Sequence, residues 1–140
     1  DLYFQFQHCL IICNINTSKY NWYNEIIDTF GENTGYILGS RITKNGNIRY
    51  DGGKAKIEDL ETGMMYGGKV NQKLPYFLIT NVESLRTKEG KKYRLSDLII
   101  DYIKSGKIGI CIIDEIHKNM SPTSTQGKQM LRIKDRKSVV

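Results

Sequence analysis

A chain of 140 residues can form one domain with one modest core, and its 39% apolar and 26% charged residues argue against an intrinsically disordered protein. Lys and Arg outnumber Asp and Glu by 21 to 15, and the resulting charge of +6 suits a polyanionic partner such as nucleic acid. The three cysteines are odd in number, which argues against a disulfide framework and favours buried thiols. No run approaches the roughly 20 apolar residues of a membrane span, so we expect a cytoplasmic protein.

The first predicted elements are a strand, a helix and a second strand. The apolar run Cys9–Cys13 has the length of a buried strand. From about residue 17 to 30, apolar and aromatic side chains including Trp22 recur at helical spacing and predict a stripe that faces the core. Thr17 or Ser18 can cap this helix, and the glycine that follows ends it. A further apolar run, Tyr36–Leu38, predicts the second strand.

Residues 40–73 interrupt the alternation of strands and helices and are predicted to be a surface insertion. The segment Arg41–Tyr50 has Asn45-Gly46 at its centre, which predicts a β-hairpin with a type I′ turn, because Asn-Gly supplies both residues of positive φ. A short helix is expected near Ala55–Leu60. The basic side chains of the insertion, which could extend a track for a polyanion or form a solvated face, are Lys44, Arg49, Lys54 and Lys56.

The second half of the chain predicts two more strands and two more helices. The runs Tyr76–Thr80 and Ile108–Ile113 lack alternation of apolar and polar residues, as expected of strands that are covered on both faces. Between them a helical pattern extends from Ser96, its expected cap, to about Ser105. A last helix is expected after Pro122, because proline is favourable at a first helical position. Strands that alternate with helices indicate an α/β fold with a parallel sheet.

The pair Asp114-Glu115 carries the most informative chemistry, because it follows the apolar run Ile108–Ile113 directly. A strand of this kind holds the first carboxylate at the carboxyl edge of the sheet, where α/β proteins bind their ligands. One acid can hold Mg²⁺, directly or through water, while the other orients or deprotonates a water that attacks a phosphate. On these two residues alone, a pair of solvated acids at a strand end is the simpler interpretation.

The wider sequence pattern favours the catalytic interpretation. Asp114-Glu115-Ile116-His117, followed by a basic residue and a Ser-Pro loop, resembles motif II of helicase superfamily two, especially its Swi/Snf-type branch. Leu10–Glu25 resembles motif Ia, with a strand, a loop and a helix that carries a tryptophan. Phe77–Arg86 resembles the strand and loop of motif Ib. The three motifs occur in the order of the family and cover roughly residues 9–30, 76–105 and 108–135.

The resemblance implies an incomplete RecA-like lobe of the P-loop NTPase type, in which helices flank a parallel sheet that carries a β-hairpin insertion. The implied activity is that of a DNA helicase or translocase that couples Mg-ATP hydrolysis to movement on double-stranded DNA, in the cytoplasm of a bacterial or phage-infected cell. Asp114 would coordinate Mg²⁺, Glu115 would polarise the attacking water, and both would lie at the ATP. His117 would couple the nucleotide site to the DNA site, or would be a structural histidine.

The resemblance also implies contacts with the DNA backbone at two loops. The first loop precedes the helix of motif Ia, where free backbone N–H groups form a ready phosphate site beside a lysine. The second follows the strand of motif Ib. The expected DNA-contacting residues are Asn16, Thr17, Ser18, Lys19, Thr80 and Asn81. A plain helix cap and a strand-end turn are the structural alternatives, and Trp22 is expected to belong to the core.

The chain departs from the family pattern because no G-x-x-x-x-G-K-[ST] phosphate loop occurs in it. By resemblance, that loop lies upstream of residue 1 and the second lobe lies downstream, so residues 1–140 are expected to be a partial first lobe. The strand Ile108–Ile113 would then be an exposed sheet edge through which the chain self-associates. Two alternatives stay open, namely the motor subunit of a restriction system and a non-catalytic nucleic-acid-binding or interaction domain.

Overall fold

The computed structural model describes residues 8–13, 16–64, 75–114 and 124–134. The elements in these ranges are β1 (His8–Cys13), α1 (Asn16–Phe30), β2 (Gly35–Ile37), β3 (Ser40–Ile42), β4 (Ile48–Tyr50), α2 (Gly53–Met64), β5 (Phe77–Asn81), a 3-10 helix (Val82–Arg86), α3 (Arg94–Lys104), β6 (Ile108–Ile113) and α4 (Thr125–Lys134). The four strands predicted outside the hairpin are confirmed to within one residue at each end. No helix in the described ranges is long and apolar enough to cross a lipid bilayer.

Four strands form one parallel sheet in the order β2-β5-β1-β6. The central position belongs to β1, whose Cys9 is in register with Phe77 of β5 and whose Leu10 is in register with Cys111 of β6. Every residue of β1 is buried, because helices cover both faces of the sheet at this strand. The predicted α/β fold, a parallel sheet flanked by helices, is therefore confirmed.

Successive residues of β1 face opposite sides of the sheet, as the pleat of a strand requires. Leu10 and Ile12 belong to the larger core, to which α2, α3 and α4 also contribute. Cys9, Ile11 and Cys13 belong to a smaller core on the other side, which α1 covers. The sheet is thus the middle layer of three, and α1 lies alone against its second face among the described helices.

The strand β6 lies at an edge of the described sheet. It pairs with β1, and no other strand of the described ranges pairs with its opposite side. Ile110 in the middle of this strand is 43% exposed, although its neighbour Cys111 is fully buried. The edge position predicted for Ile108–Ile113 is therefore confirmed for the part of the chain that the structure describes.

The predicted hairpin is present, but its turn is of a different type. Strands β3 and β4 pair in antiparallel register. The Thr43 amide donates to the Asn47 carbonyl at 2.8 Å, which leaves three residues in the loop, and Gly46 alone among these has a positive φ, of 83°. The type I′ turn predicted at Asn45-Gly46 is wrong, because a three-residue loop reverses the chain with a single left-handed residue.

The helix within the predicted insertion is longer and more buried than the sequence indicated. It has 12 residues, and its Ile57 and Leu60 belong to the larger core. Asp59 of the same helix accepts a hydrogen bond from the Arg41 guanidinium at 3.1 Å and thereby ties the hairpin to α2. The described part of the segment, residues 40–64, is therefore an exposed hairpin followed by a helix that covers the sheet.

Helix ends were predicted more reliably by glycine than by serine. Gly31 follows α1 with a φ of 102° and Gly106 follows α3 with a φ of 82°, as expected for residues that end a helix. By contrast α3 begins at Arg94, so the prediction that Ser96 caps it is wrong. The Ser96 hydroxyl is buried and donates to a backbone carbonyl 3.4 Å away. The helix start expected at Pro122 lies outside the described residues.

Candidate functional site at the carboxyl edge of the sheet

The carboxyl ends of β1, β5 and β6 meet at one edge of the sheet. Cys13 at the end of β1 is in register with Asn81 at the end of β5. On the other side, the Asp114 amide donates to the Ile12 carbonyl at 2.9 Å, which continues the pairing of β6 with β1 by one residue. The structure therefore brings the predicted residues Asp114, Thr80 and Asn81 to the same edge, as expected of adjacent parallel strands.

The side chain of Asp114 is held by a residue that the sequence assigned only to the core. The indole Nε1 of Trp22 donates a hydrogen bond to Asp114 Oδ2 at 2.9 Å. The Trp22 ring also packs against the smaller core, so the apolar prediction for this residue is confirmed as well. The predicted catalytic residues Glu115 and His117 lie outside the described residues.

Cys13 lies between Asp114 and the start of α1. Its side chain is fully buried. Burial raises the pKa of the Cys13 thiol to about 12, and the carboxylate of Asp114 adds to this increase, whereas Lys19 acts against it. Cys13 is therefore a neutral thiol at physiological pH, and the charges of both Asp114 and Lys19 act on it.

Lys19 is buried, although the sequence predicts a lysine that is available to DNA. Its side chain is 4% exposed, and its Nζ lies 5.3 Å from the centre of the Tyr50 ring of the hairpin. A second ring, that of Tyr20, lies 6.0 Å from the same atom. Burial lowers the pKa of Lys19, while Glu83 and Cys13 act in the opposite direction. The ammonium group is thus stabilised partly by aromatic faces.

A second buried lysine, Lys56 of α2, reaches the same edge from the other face of the sheet. It is 8% exposed, and its Nζ donates to Asn81 Oδ1 at 2.9 Å and to Ser84 Oγ at 2.6 Å. Burial and the positive charge of Lys19 together lower the pKa of Lys56 to about 8. Lys56 therefore lies in the interior. The sequence had predicted that it would belong to a solvated face or to a surface track for a polyanion.

The predicted DNA-contacting residues of β5 belong to the same internal network. Thr80 is fully buried, and its hydroxyl donates to Ser84 Oγ at 3.1 Å. Ser84 in turn donates to Asn81 Oδ1, which also accepts from Lys56. The structure therefore brings Thr80, Asn81 and Lys19 together but holds their side chains inside the fold. The side chains of Asn16 and Thr17 lie outside the described part, and Ser18 is partly exposed near the start of α1.

Among the described residues, the two buried lysines at this edge have no carboxylate partner of their own. In the described ranges every ion pair is formed by an arginine, and neither Lys19 nor Lys56 has a carboxylate within salt-bridge distance. Glu83 is the acid whose charge acts on both lysines. Since buried charges are costly without a compensating partner, this edge is suited to an anion.

Asp114 is the described carboxylate at this edge that could hold a magnesium ion. No group of three or more His, Cys, Asp or Glu side chains that could hold a metal occurs in the described ranges, which argues against a cage built from protein there. Mg²⁺ commonly binds one or two carboxylates and takes its other ligands from water and from phosphates. Asp114 supplies one carboxylate of the required kind, and one of its oxygens is already oriented by Trp22.

Comparison with known proteins found no relative of this chain. No family model matches the chain, no curated protein matches it, and no solved structure matches it. The function is therefore argued from the residues and contacts of the chain itself.

Proposed function

We propose that this chain is part of the first RecA-like lobe of a Swi/Snf-type, ATP-driven DNA translocase that works in the cytoplasm. The observation that carries the proposal is the meeting of three motif-like segments at one sheet edge, since β6, β1 and β5 are adjacent and end together.

In this proposal the carboxylates after β6 perform the chemistry. Mg²⁺ with bound ATP supplies the charge that stabilises the transferred phosphoryl group. Asp114 would hold that cation through its carboxylate, one oxygen of which accepts the Trp22 hydrogen bond. Glu115, the next residue, accepts a proton from the attacking water, and His117 couples this site to the DNA.

The DNA site in this proposal is the carboxyl edge beside the start of α1. The free backbone N–H groups at the start of a helix attract phosphate, and the buried charges of Lys19 and Lys56 add a positive field at the same place. Because both lysines are internal, they act first through this field rather than as exposed contacts. Binding through backbone phosphates is sequence-independent and sensitive to salt.

The decisive experiment is the change Glu115→Gln in the complete protein. The amide keeps the shape of the side chain but accepts a proton far less readily, so we expect ATP binding to persist and DNA-stimulated hydrolysis to fall by about 100-fold or more. Glu58→Gln, at an exposed position of α2, is the matched control and should leave the turnover unchanged. Unchanged steady-state hydrolysis in Glu115→Gln would remove Glu115 from the mechanism and contradict the proposal.

A second candidate, a nucleic-acid-binding or interaction domain without catalysis, is favoured by the lack of a phosphate loop in these 140 residues and by the charge of +6. The coding sequence upstream of residue 1 distinguishes the two. A Gly-Lys-Thr loop within roughly 40 residues supports the translocase or the related restriction motor, and its absence supports the binding domain. In either case the 140-residue chain alone should hydrolyse no ATP above background, because the phosphate loop supplies much of the binding in phosphoryl transfer.

A further inference from the structure

The hydrogen bond between Trp22 and Asp114 joins two segments that are 92 residues apart. Trp22 belongs to α1, whereas Asp114 follows the edge strand β6. The two residues therefore connect the helix that begins at the expected DNA loop with the carboxylate that is expected to bind the cation. Trp22 is also the sole tryptophan of these 140 residues, which makes this contact observable by itself in the 140-residue chain.

The hydrogen bond from Trp22 holds the side chain of Asp114, whose backbone is held independently of it. The backbone of Asp114 is already held by its amide, which donates to the Ile12 carbonyl of β1. A strand-end carboxylate held only by its backbone would still rotate about its side-chain bonds. The indole N–H removes that freedom by engaging Oδ2, and among the described residues no hydrogen-bond donor engages the other carboxylate oxygen. A half-buried indole could equally well have donated to water, so burial alone does not explain this partner.

We infer that Trp22 is a positioning residue, which holds the Asp114 carboxylate in the orientation that binds a divalent cation. Residues that orient a metal ligand through a hydrogen bond commonly contribute 10- to 100-fold to metal affinity. The inference deepens the proposed function and rests on the assignment of Asp114 as the magnesium ligand. It also connects α1 with both parts of the proposal, because Lys19 lies three positions before Trp22 in the same helix.

The bond itself is tested first, without any cation. The amide spectrum of the ¹⁵N-labelled 140-residue chain contains one indole signal, because this chain has one tryptophan. Asp114→Asn should shift this signal clearly, while Asp101→Asn, an exposed aspartate of α3, should leave it in place. If the indole signal is the same in wild type and in folded Asp114→Asn, the bond is absent and the inference is overturned.

The role toward the cation is tested with Mn²⁺, a paramagnetic substitute for Mg²⁺. Mn²⁺ should broaden the indole signal of the wild type and leave that of Asp114→Asn sharp. In Trp22→Phe, which keeps an aromatic ring but has no donor, Mn²⁺ affinity measured by the loss of free-Mn²⁺ signal in electron paramagnetic resonance should fall by about 10-fold. Tyr23→Phe on the same helix is the matched control and should bind Mn²⁺ like the wild type.

The outcomes separate the inference from the proposed function. Selective broadening in the wild type together with equal affinity in Trp22→Phe would overturn the positioning role and leave the assignment of Asp114 intact. An indole signal that responds to Asp114→Asn but not to Mn²⁺ would overturn the positioning role, because no cation would then lie at Asp114 of this chain, whereas the proposed function is judged by the hydrolysis of Glu115→Gln. Broadening that depends on Asp114, with an affinity that depends on Trp22, would support both.

Discussion

We expect the free energy of unfolding to depend on pH through Lys56. This residue is a buried ammonium group without a carboxylate partner in the described ranges. Burial and the charge of Lys19 lower its pKa from 10.5 to about 8. The unfolded chain keeps the ordinary pKa, so between these two values the unfolded state binds more protons than the folded state. The free energy of unfolding should therefore rise with pH across this window.

The size of the effect follows from the two pKa values. Each unit between the folded and unfolded pKa contributes about 1.4 kcal/mol, so the contribution of Lys56 is roughly 3 kcal/mol. Below about pH 8 both states carry the proton and the destabilisation is complete, whereas above about pH 10.5 neither state does and it is absent. Tyr36 and Cys13 have raised pKa values and oppose this trend at high pH, because the folded state retains their protons longer. A variant is therefore needed to separate the contribution of Lys56 to the free energy of unfolding from the contributions of these groups.

Lys56→Met provides this comparison, because methionine is a flexible apolar side chain without a charge. Urea unfolding of both proteins, followed by far-ultraviolet circular dichroism near pH 7 and near pH 10.5, gives the difference in their free energies of unfolding. That difference should change by roughly 3 kcal/mol in favour of the wild type at the higher pH, or about 1 to 3 M in urea midpoint. Lys54→Met, an exposed position of the same helix, is the control and should follow the wild type.

A difference between wild type and Lys56→Met that stays constant over this range would refute the reasoning. It would mean that Lys56 has the same pKa in the folded and unfolded states. Its Nζ would then lie in water and not against Asn81 and Ser84, and the positive field proposed for the carboxyl edge would lose one of its two sources.

Three further predictions concern the core, the DNA site and the sheet edge. Leu60→Ala should cost about 2 to 5 kcal/mol in urea unfolding, because Leu60 is fully buried; a cost well below 1 kcal/mol would place α2 outside the core. Lys19→Ala in the complete protein should weaken duplex binding in anisotropy titrations at low salt more than exposed Lys104→Ala does, because it removes a positive charge beside the start of α1, and an unchanged affinity and salt slope would remove Lys19 from the DNA site. Ile110→Lys should reduce self-association in sedimentation equilibrium, whereas Ile42→Lys, at a position that is 81% exposed in the hairpin, should not; equal association in both variants would exclude the edge of β6 as the contact.

The sequence determined the local elements of this fold, because their signals are local. Apolar runs of strand length predicted the strands of the parallel sheet, and glycine at a left-handed position predicted the ends of α1 and α3. The Asn-Gly pair predicted the hairpin but not its turn, since both loop lengths accept a left-handed glycine at Gly46. The sequence also predicted that Asp114 follows a strand at the carboxyl edge, because the strand and the acid are consecutive in the chain.

Only the tertiary structure decided which side chains share that edge and which of them are buried. Strand neighbours in a parallel sheet are separated by long crossover segments, so nothing local to β1 specifies that β5 lies on one side of it and β6 on the other. The same long-range packing makes Trp22 the donor to Asp114, although helical spacing shows only that its ring faces the core. Lysine has a long apolar stem and a charged end, so sequence pattern does not distinguish a solvated Lys56 from one that crosses the interior to Asn81 and Ser84.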